Sequence, residues 1–353
     1  MRSYDVTVFD GPLALNERPT PQPTGEEVLV KITAAGVCHS DIHICEGFYD
    51  LGSGKKLNMG ERGVKLPLTM GHEIAGEIVS GGPDAGPVKA GAKVVVFPWI
   101  GCGKCAVCAR GDENLCLQSR FLGIFRGGGY ATHVLVPHKR YCLDIGDMDT
   151  SVAAPYACSG LTTYGALKKI GAKVYQNEPI VVIGAGGLGL MCLTLMKAMG
   201  AHGAIVVDVN PASREAAMKA GALAAVDPKA PGAVAEIRKM TPDGAGAAAV
   251  IDLVGAGATV QLGLDVMARG GRVVVVGLMG GEVTVPTPTI PQRAMTLQGS
   301  YVGNLEELKE LMALVAKGGV PRVPTIERPL DEADKSLNDL RAGKVIGRII
   351  LKP

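Results

Sequence analysis

Three kinds of residue cluster in this chain could do chemistry. The stretch "GVCHSDIH" (36–43) packs a thiol, two imidazoles, a hydroxyl and a carboxylate into eight positions. Its Cys38 reads equally well as an inert buried thiol, a nucleophile or a metal ligand. Farther on, "CGKCAVCARGDENLC" sets Cys102, Cys105, Cys108 and Cys116 in a C-x2-C-x2-C-x7-C spacing. Short spacings of this kind let one loop wrap a single ion. Four thiolates complete a tetrahedron and leave no position for substrate, which makes the expected role structural. An iron–sulfur cluster also takes four thiolates, but the bacterial ferredoxin run has three residues before its last cysteine and then proline. Here seven intervene and Leu117 follows. The third cluster is "VVIGAGGLGLM", a G-x-G-x-x-G turn at Gly184, Gly186 and Gly189, with Gly187 and Leu188 between.

The glycine turn has the context that gives such a match weight. A Val/Ile run precedes it, an apolar helical run follows, and Asp208 closes the next Val-rich run. That order predicts a dinucleotide cradled on a helix N-terminus, with Asp208 accepting from the adenosine ribose hydroxyls. A carboxylate there repels a 2′-phosphate and no arginine directly follows it, so NAD is expected over NADP. A catalytic zinc needs three protein ligands and an open position. Cys38, His72 in "GHEIAG" with Glu73 beside it, and Cys158 in "YACSGLTTYG" are candidates, but spacing alone does not join them.

The elements that must position these groups follow from patterning. The first half reads as short strands between Gly/Pro turns ("EEVLVKITAAGV", "GHEIAGEIVSGG", "AKVVVFPW", "YATHVLVP"), a barrel-like β region. From about residue 155 apolar runs alternate with Ala-rich helical segments, predicting a parallel sheet covered on both faces. "MTLQGSYVG" reads as a further strand, "NLEELKELMALVAKGG" as an amphipathic helix, and "VIGRIILKP" as a strand returning to the first domain. The uncharged stretch 180–196 is glycine-broken and reads as strand, turn and buried helix rather than a membrane span. The loop 49–67 is polar and Gly-rich and is expected to be exposed and mobile. Its stretch "SGKKLNMGER" (53–62) carries Lys55, Lys56 and Arg62 against Glu61, either as a solvated face or as an overhang favouring acidic or bulky substrates.

Length and composition agree with this plan. At 353 residues two domains are expected, and 47% apolar with 4% aromatic residues is an α/β core built from small side chains. A net charge of +2 without a basic block gives no expectation of nucleic acid or an anionic membrane as partner. No export signal is visible, so a cytoplasmic setting is expected, with the nine cysteines as reduced thiols or metal ligands. Cys45, Cys142 and Cys192 are expected to be packing residues.

Taken in order, "GVCHSDIH", "GHEIAGEI", the four-cysteine lobe, "CSGLTTY", "VVIGAGGLGL" and the terminal "GRIIL" resemble the zinc-dependent medium-chain alcohol dehydrogenases, in their NAD-linked bacterial and archaeal branch. The resemblance covers essentially the whole chain. It implies an α/β protein with a GroES-like β-barrel catalytic domain (1–154 and 295–353, with a structural zinc lobe at about 99–118) and a Rossmann doubly wound parallel sheet (155–294). It further implies Cys38, His72 and Cys158 as catalytic zinc ligands, with Glu73 as a carboxylate that can approach the metal. Asp41 becomes the partner of the ligand histidine, and Ser40 and His43 a proton relay through the nicotinamide ribose. His39 and Arg348 become pyrophosphate contacts, Thr162 a nicotinamide contact, and Trp99, Phe48 and Ser40 substrate-pocket residues. The cofactors implied are NAD and two zinc ions per subunit, the partner a small alcohol, aldehyde or ketone, and the assembly a homotetramer or else a homodimer. A polyol dehydrogenase is the alternative within the superfamily, though an acidic residue often stands there in place of Cys158. A non-catalytic protein binding zinc and dinucleotide is the alternative outside it.

Overall fold

The computed structural model describes residues 1–353, and two sheet systems divide them. In the first half a seven-stranded, mostly antiparallel sheet is built on Val28–Val37. This strand pairs with Glu73–Gly81, with His133–Val136 and with the C-terminal strand Arg348–Lys352. Lys93–Val96 and Cys142–Asp144 extend it on one side and Thr325–Pro329 on the other. Val28–Val37 is apolar on both faces and buried along nearly its whole length, as the central strand of a curled sheet must be. A small sheet of Arg2–Val6, Ala14–Glu17 and Leu68–Thr69 packs beside it.

The second half is a six-stranded sheet, parallel throughout. Its order is Ala224–Val226, Ala204–Val207, Ile180–Ile183, Ala247–Asp252, Met267–Val275, Thr296–Gly299. The chain starts in the middle, winds to one edge, then returns to wind to the other. Strand order therefore reverses between Ile180–Ile183 and Ala247–Asp252, and the crevice outside their carboxyl ends is where such sheets bind ligands. The central strands Ile180–Ile183 and Ala204–Val207 are buried at every position, which accounts for their unbroken Val/Ile runs. One apolar cluster of 72 buried residues runs from the barrel strands through Cys158–Leu167 to the sheet, so the halves share a core.

Two expectations change. Thr296–Gly299 pairs with Met267–Val275, so the parallel sheet extends past the boundary expected at 294. The helix Leu305–Ala316 packs on Ser159–Ile170, and the chain rejoins the barrel sheet only at Thr325–Pro329. A parallel edge strand is as short and as apolar as a barrel strand, so sequence could not assign it to one sheet. The loop 49–67 is also more ordered than its composition suggested. Phe48–Gly52 and Lys55–Asn58 form a hairpin about a Gly-Ser-Gly turn, and Met59 and Val64 are buried beneath it. No helix is long and apolar enough to cross a membrane.

Candidate active site and dinucleotide cleft

The sequence joins Cys38 to the fold by a local device. Cys38 stands at the N-cap of the helix His39–Glu46, and Asp41, three residues on, accepts a hydrogen bond from the Cys38 N–H at 2.9 Å. An acid at that position satisfies a donor that the helix leaves open. Here it also fixes the thiol-bearing residue. The same carboxylate takes the Tyr130 hydroxyl at 2.9 Å and lies 3.1 Å from His72 Nδ1, an ion-pair contact rather than a well-directed hydrogen bond. Asp41 and His72 are both fully buried. Burial alone would depress the His72 pKa, but the Asp41 charge more than reverses this and holds it well above the usual histidine value. Tyr130 was not anticipated; "GGYATHVLVP" reads only as a strand, and nothing local marks its hydroxyl.

Barrel register brings the second ligand candidate to the first. Gly36 lies opposite Glu73 in the antiparallel pair, which sets His72 beside Cys38. The turn Ala154–Ala157 then delivers Cys158 from the far side, at the N-terminus of Ser159–Ile170. Ligand atoms of Cys38, His72 and Cys158, all buried, lie within 4.8 Å of one another. The two sulfurs are 3.9 Å apart, against about 3.8 Å for two thiolates on one tetrahedral zinc. His72 Nε2 is buried without a hydrogen-bond partner, an orphaned atom that a metal in place of its proton would satisfy. A hydrogen bond from Cys158 and the nearby imidazole hold the Cys38 thiol well below its ordinary pKa, and Cys158 is raised correspondingly. Metal binding would displace the protons that His72 and Cys158 hold, and by spacing and burial the donor set fits a zinc ion with three protein ligands.

Glu73 sits beside this set without joining it. Its Oε1 accepts from the Ser159 N–H at 3.1 Å, and its Oε2 pairs with Arg348. Burial raises its pKa and the guanidinium opposes the rise. Arg348, expected at the pyrophosphate, is held by this pair while its aliphatic stem lies against Gly187, where a Cβ would come 2.7 Å from its Cδ. It thus links the metal set to the start of the dinucleotide helix. A Cβ at Gly36 would stand 2.0 Å from Glu73 Oε2. Gly36→Ala is therefore expected to displace the Glu73–Arg348 pair and lower Tm by several degrees, about 2 kcal/mol in stability. Differential scanning calorimetry checks this, and an unchanged Tm would show that the carboxylate has room to move.

The relay candidates lie on one helix turn. Ser40 and His39 are partly exposed, and the His39 and His43 rings are 5.5 Å apart. Burial, and then the His39 charge, lower the His43 pKa, which keeps its imidazole neutral near pH 7. Trp99 is buried, donates to the Ala157 carbonyl at 3.0 Å and lies 5.2 Å from the His72 ring, forming one wall of the site. Phe48 lies beneath the Lys56 ammonium at 3.6 Å, and it is Tyr49 that reaches His43, with ring centroids 5.1 Å apart. Tyr301, unanticipated, packs 6.3 Å from Trp99.

The glycine turn falls at the reversal of strand order. Gly184 has φ 97°, and a Cβ on Gly189 would stand 2.1 Å from the Gly184 carbonyl, so the turn admits no side chain there. The helix Gly187–Ala198 begins without a side-chain cap, leaving N–H groups for a diphosphate. Leu188 sits in its first turn, half-buried. Asp208 accepts from the Ala185 and Asn210 N–H groups, each at 2.7 Å, and is thereby fixed against the turn. Arg214, which sequence reasoning passed over, donates to the Asp208 carbonyl but pairs with Asp227 at 3.3 Å, so its charge is already matched. The Thr162 hydroxyl is buried and unpartnered. These features suit a dinucleotide.

In the cysteine lobe the sulfurs stand 3.5 Å (Cys105–Cys108), 3.8 Å (Cys105–Cys116) and 4.0 Å (Cys102–Cys108) apart, again matching a tetrahedral zinc. The Cys102 N–H points at Cys116 Sγ and the Cys108 N–H at Cys105 Sγ. Such bonds favour thiolates; backbone donors bring Cys102 down to about 6. Glu113 ties the lobe to the barrel, accepting from Gly101 N–H and from the Tyr141 hydroxyl, with Arg140 at 2.8 Å. Of the remaining cysteines, Cys142 and Cys192 are pushed up to about 12 by burial, as suits packing thiols, and Cys45 is also buried.

A GroES-like barrel, a doubly wound dinucleotide sheet and a buried Cys–His–Cys set between them define the class. Residues 24–147 match the model of the alcohol dehydrogenase GroES-like domain, and residues 187–317 match that of the zinc-binding dehydrogenases. The chain belongs to the zinc-dependent medium-chain alcohol dehydrogenase family. It is 40% identical to an NAD-dependent alcohol dehydrogenase of Sulfurisphaera tokodaii and 38% identical to one of Saccharolobus solfataricus, each covered completely by this chain and covering it. Among solved structures, an alcohol dehydrogenase of Aeropyrum pernix superposes with a TM-score of 0.89 at 31% identity, both chains fully covered. The D-arabinose dehydrogenase of Sulfolobus solfataricus superposes with a TM-score of 0.84 and 28% identity, over 100% of this chain and 99% of that one.

Proposed function

We propose that the protein is a zinc-dependent, NAD-linked alcohol dehydrogenase that interconverts a primary or secondary alcohol with its aldehyde or ketone. The observation that carries this reading is the convergence of Cys38, His72 and Cys158, with the Glu73–Arg348 pair reaching from beside them to Gly187 in the glycine turn. When bound, zinc supplies Lewis acidity at the reacting oxygen and NAD supplies the hydride acceptor. The chain's own residues do the rest. Cys38, His72 and Cys158 hold the metal, with Asp41 fixing the His72 ring and Glu73 in reach as an alternate carboxylate. Ser40 accepts the proton leaving the substrate hydroxyl, and His43, neutral near pH 7, passes a proton to water. Trp99 and Tyr301 exclude water from the wall. Gly184, Gly186, Gly187, Leu188 and Gly189 cradle the diphosphate, with His39 and Arg348 at its edge, Thr162 at the nicotinamide amide and Asp208 at the adenosine ribose.

The cysteine lobe supports a second, structural zinc. We place the domain division after Ala154 and, on the return, between Ala316 and Thr325, where the chain leaves the parallel sheet's layers. Nine unpaired cysteines suit a reducing cytoplasm. The outer edge of Thr296–Gly299 is unpaired, and Leu278, Ile290 and Leu297 are exposed near it, which supports assembly through the dinucleotide sheet into a homotetramer or homodimer.

The testing experiment follows NADH formation at 340 nm with a panel of primary and secondary alcohols, using NAD and NADP in parallel. Turnover with NAD is expected, and no turnover with any alcohol would refute the reading. The Asp208 assignment adds a prediction. Asp208→Asn should lower kcat/KM for NAD by about 10-fold and narrow the NAD/NADP ratio by about 100-fold, from loss of charged hydrogen bonds and of repulsion toward a phosphate. An unaltered ratio would show that Asp208 does not select the cofactor.

A further inference from the structure

Two runs of aromatic rings lead away from the candidate metal and relay residues. One runs from His72 to Trp99 (5.2 Å) and on to Tyr301 (6.3 Å), with Phe121 packed 5.4 Å from Trp99. The other runs from His43 to Tyr49 (5.1 Å). Arg62, an exposed side chain, stands at the outer end of the second run, its guanidinium 5.7 Å from the centre of the Tyr49 ring. Its charge also partly offsets the rise that burial imposes on the Tyr49 and Tyr301 hydroxyls.

The other charges nearby are accounted for. Glu61 accepts from Asn58 Nδ2 at 3.1 Å, and Glu46 pairs with Arg341 at 3.1 Å. Arg348 pairs with Glu73, and the Lys56 ammonium sits over Phe48. Asp41 Oδ2 accepts from Cys38 N–H and the Tyr130 hydroxyl, and its Oδ1 faces His72 as an ion pair. Arg62 has no carboxylate partner. Its backbone is anchored by bonds from its N–H to the Asn58 and Met59 carbonyls, on a turn whose Met59 and Val64 are buried. An exposed guanidinium stacked on the aromatic ring that abuts the relay histidine, without an acid of its own, is a planar fork for an oxyanion.

We propose that Arg62 is a specificity-determining residue that receives a substrate carboxylate, so that the preferred substrates are hydroxy acids oxidised to oxo acids. This rests on the alcohol dehydrogenase reading and names the substrate class of the same site. The carbinol carbon loses a hydride to NAD and a proton leaves its hydroxyl, while the carboxylate itself is unchanged. Of Lys55, Lys56 and Arg62, it is Arg62 that stacks on the ring packed against His43.

The test compares kcat/KM for matched pairs differing in one group, 4-(hydroxymethyl)benzoate against 4-(hydroxymethyl)benzamide and 6-hydroxyhexanoate against 6-hydroxyhexanamide. The zinc-loaded enzyme is used with NAD. The wild type is expected to favour each carboxylate by about 10-fold or more, chiefly through KM. In Arg62→Gln the carboxylate/amide ratio should fall by about 10- to 100-fold, and Arg62→Lys should retain part of it. Lys55→Gln should shift the ratio by less than about twofold, the range of an exposed charge. Equal use of acid and amide by the wild type, or a ratio that survives Arg62→Gln, overturns the proposal. Failure of the underlying reading looks different, because neutral alcohols such as benzyl alcohol are then inert as well.

Discussion

His72→Ala is expected to lower kcat/KM by about 1,000-fold or more while NAD affinity changes less than about threefold, and Cys38→Ala to do the same. The magnitude follows from what the residues hold. With one of three ligands gone, the ion that polarises the reacting oxygen is lost or displaced, and that polarisation contributes several kcal/mol to the barrier. The dinucleotide turn is a separate structure on Gly184–Gly189, so cofactor affinity, read by quenching of protein fluorescence or by calorimetry, should persist. Metal analysis should fall from two zinc ions per chain to one. Asp41→Asn keeps shape but removes the charge facing His72 Nδ1 at 3.1 Å. A milder loss, about 10- to 100-fold, fits a partner that orients a ligand. Full activity in metal-free, folded His72→Ala would mean that the three residues are merely packed together.

The second large effect concerns stability. Cys105→Ser, or chelation of the lobe metal, should lower Tm by about 5 °C with one zinc lost, while the remaining zinc and the initial rate at 25 °C are largely kept. Structural zinc sites contribute their binding energy to folding. Here only part of it is at risk globally, because Glu113 also fastens the lobe to Gly101, Tyr141 and Arg140. About 3–5 kcal/mol over a chain of this size corresponds to a shift of that order. Asn114 donates to the Tyr301 carbonyl at 2.9 Å, so a loosened lobe should also raise KM through the pocket wall. A Tm within one degree of wild type would show the lobe to be independent of the core.

What could be read from the sequence divides along physical lines. The glycine turn and the four-cysteine lobe are local: the chemistry and the backbone that shapes it lie within a few residues. The parallel strands were legible because burial on both faces leaves continuous Val/Ile runs. The union of Cys38, His72 and Cys158 was not legible from spacing, since it depends on Gly36 facing Glu73 in the barrel register and on the turn Ala154–Ala157 crossing over it. A family resemblance, not periodicity, joined them in advance. Tyr130, Tyr49 and Tyr301 went unread because side chains that meet through loops have no period, and Arg62 was legible only as one charge of a basic loop. The hairpin in loop 49–67 was hidden by its polarity, and the sheet's last strand by its brevity.

The central claim is that one ion sits among Cys38, His72 and Cys158. Diffraction from crystals of the zinc-loaded protein, measured on both sides of the zinc absorption edge, addresses it directly. The expected anomalous map has two peaks per chain, one in the cysteine lobe and one about 2.3 Å from Cys38 Sγ and Cys158 Sγ and about 2.0 Å from His72 Nε2. A single peak, confined to the lobe, would contradict the account.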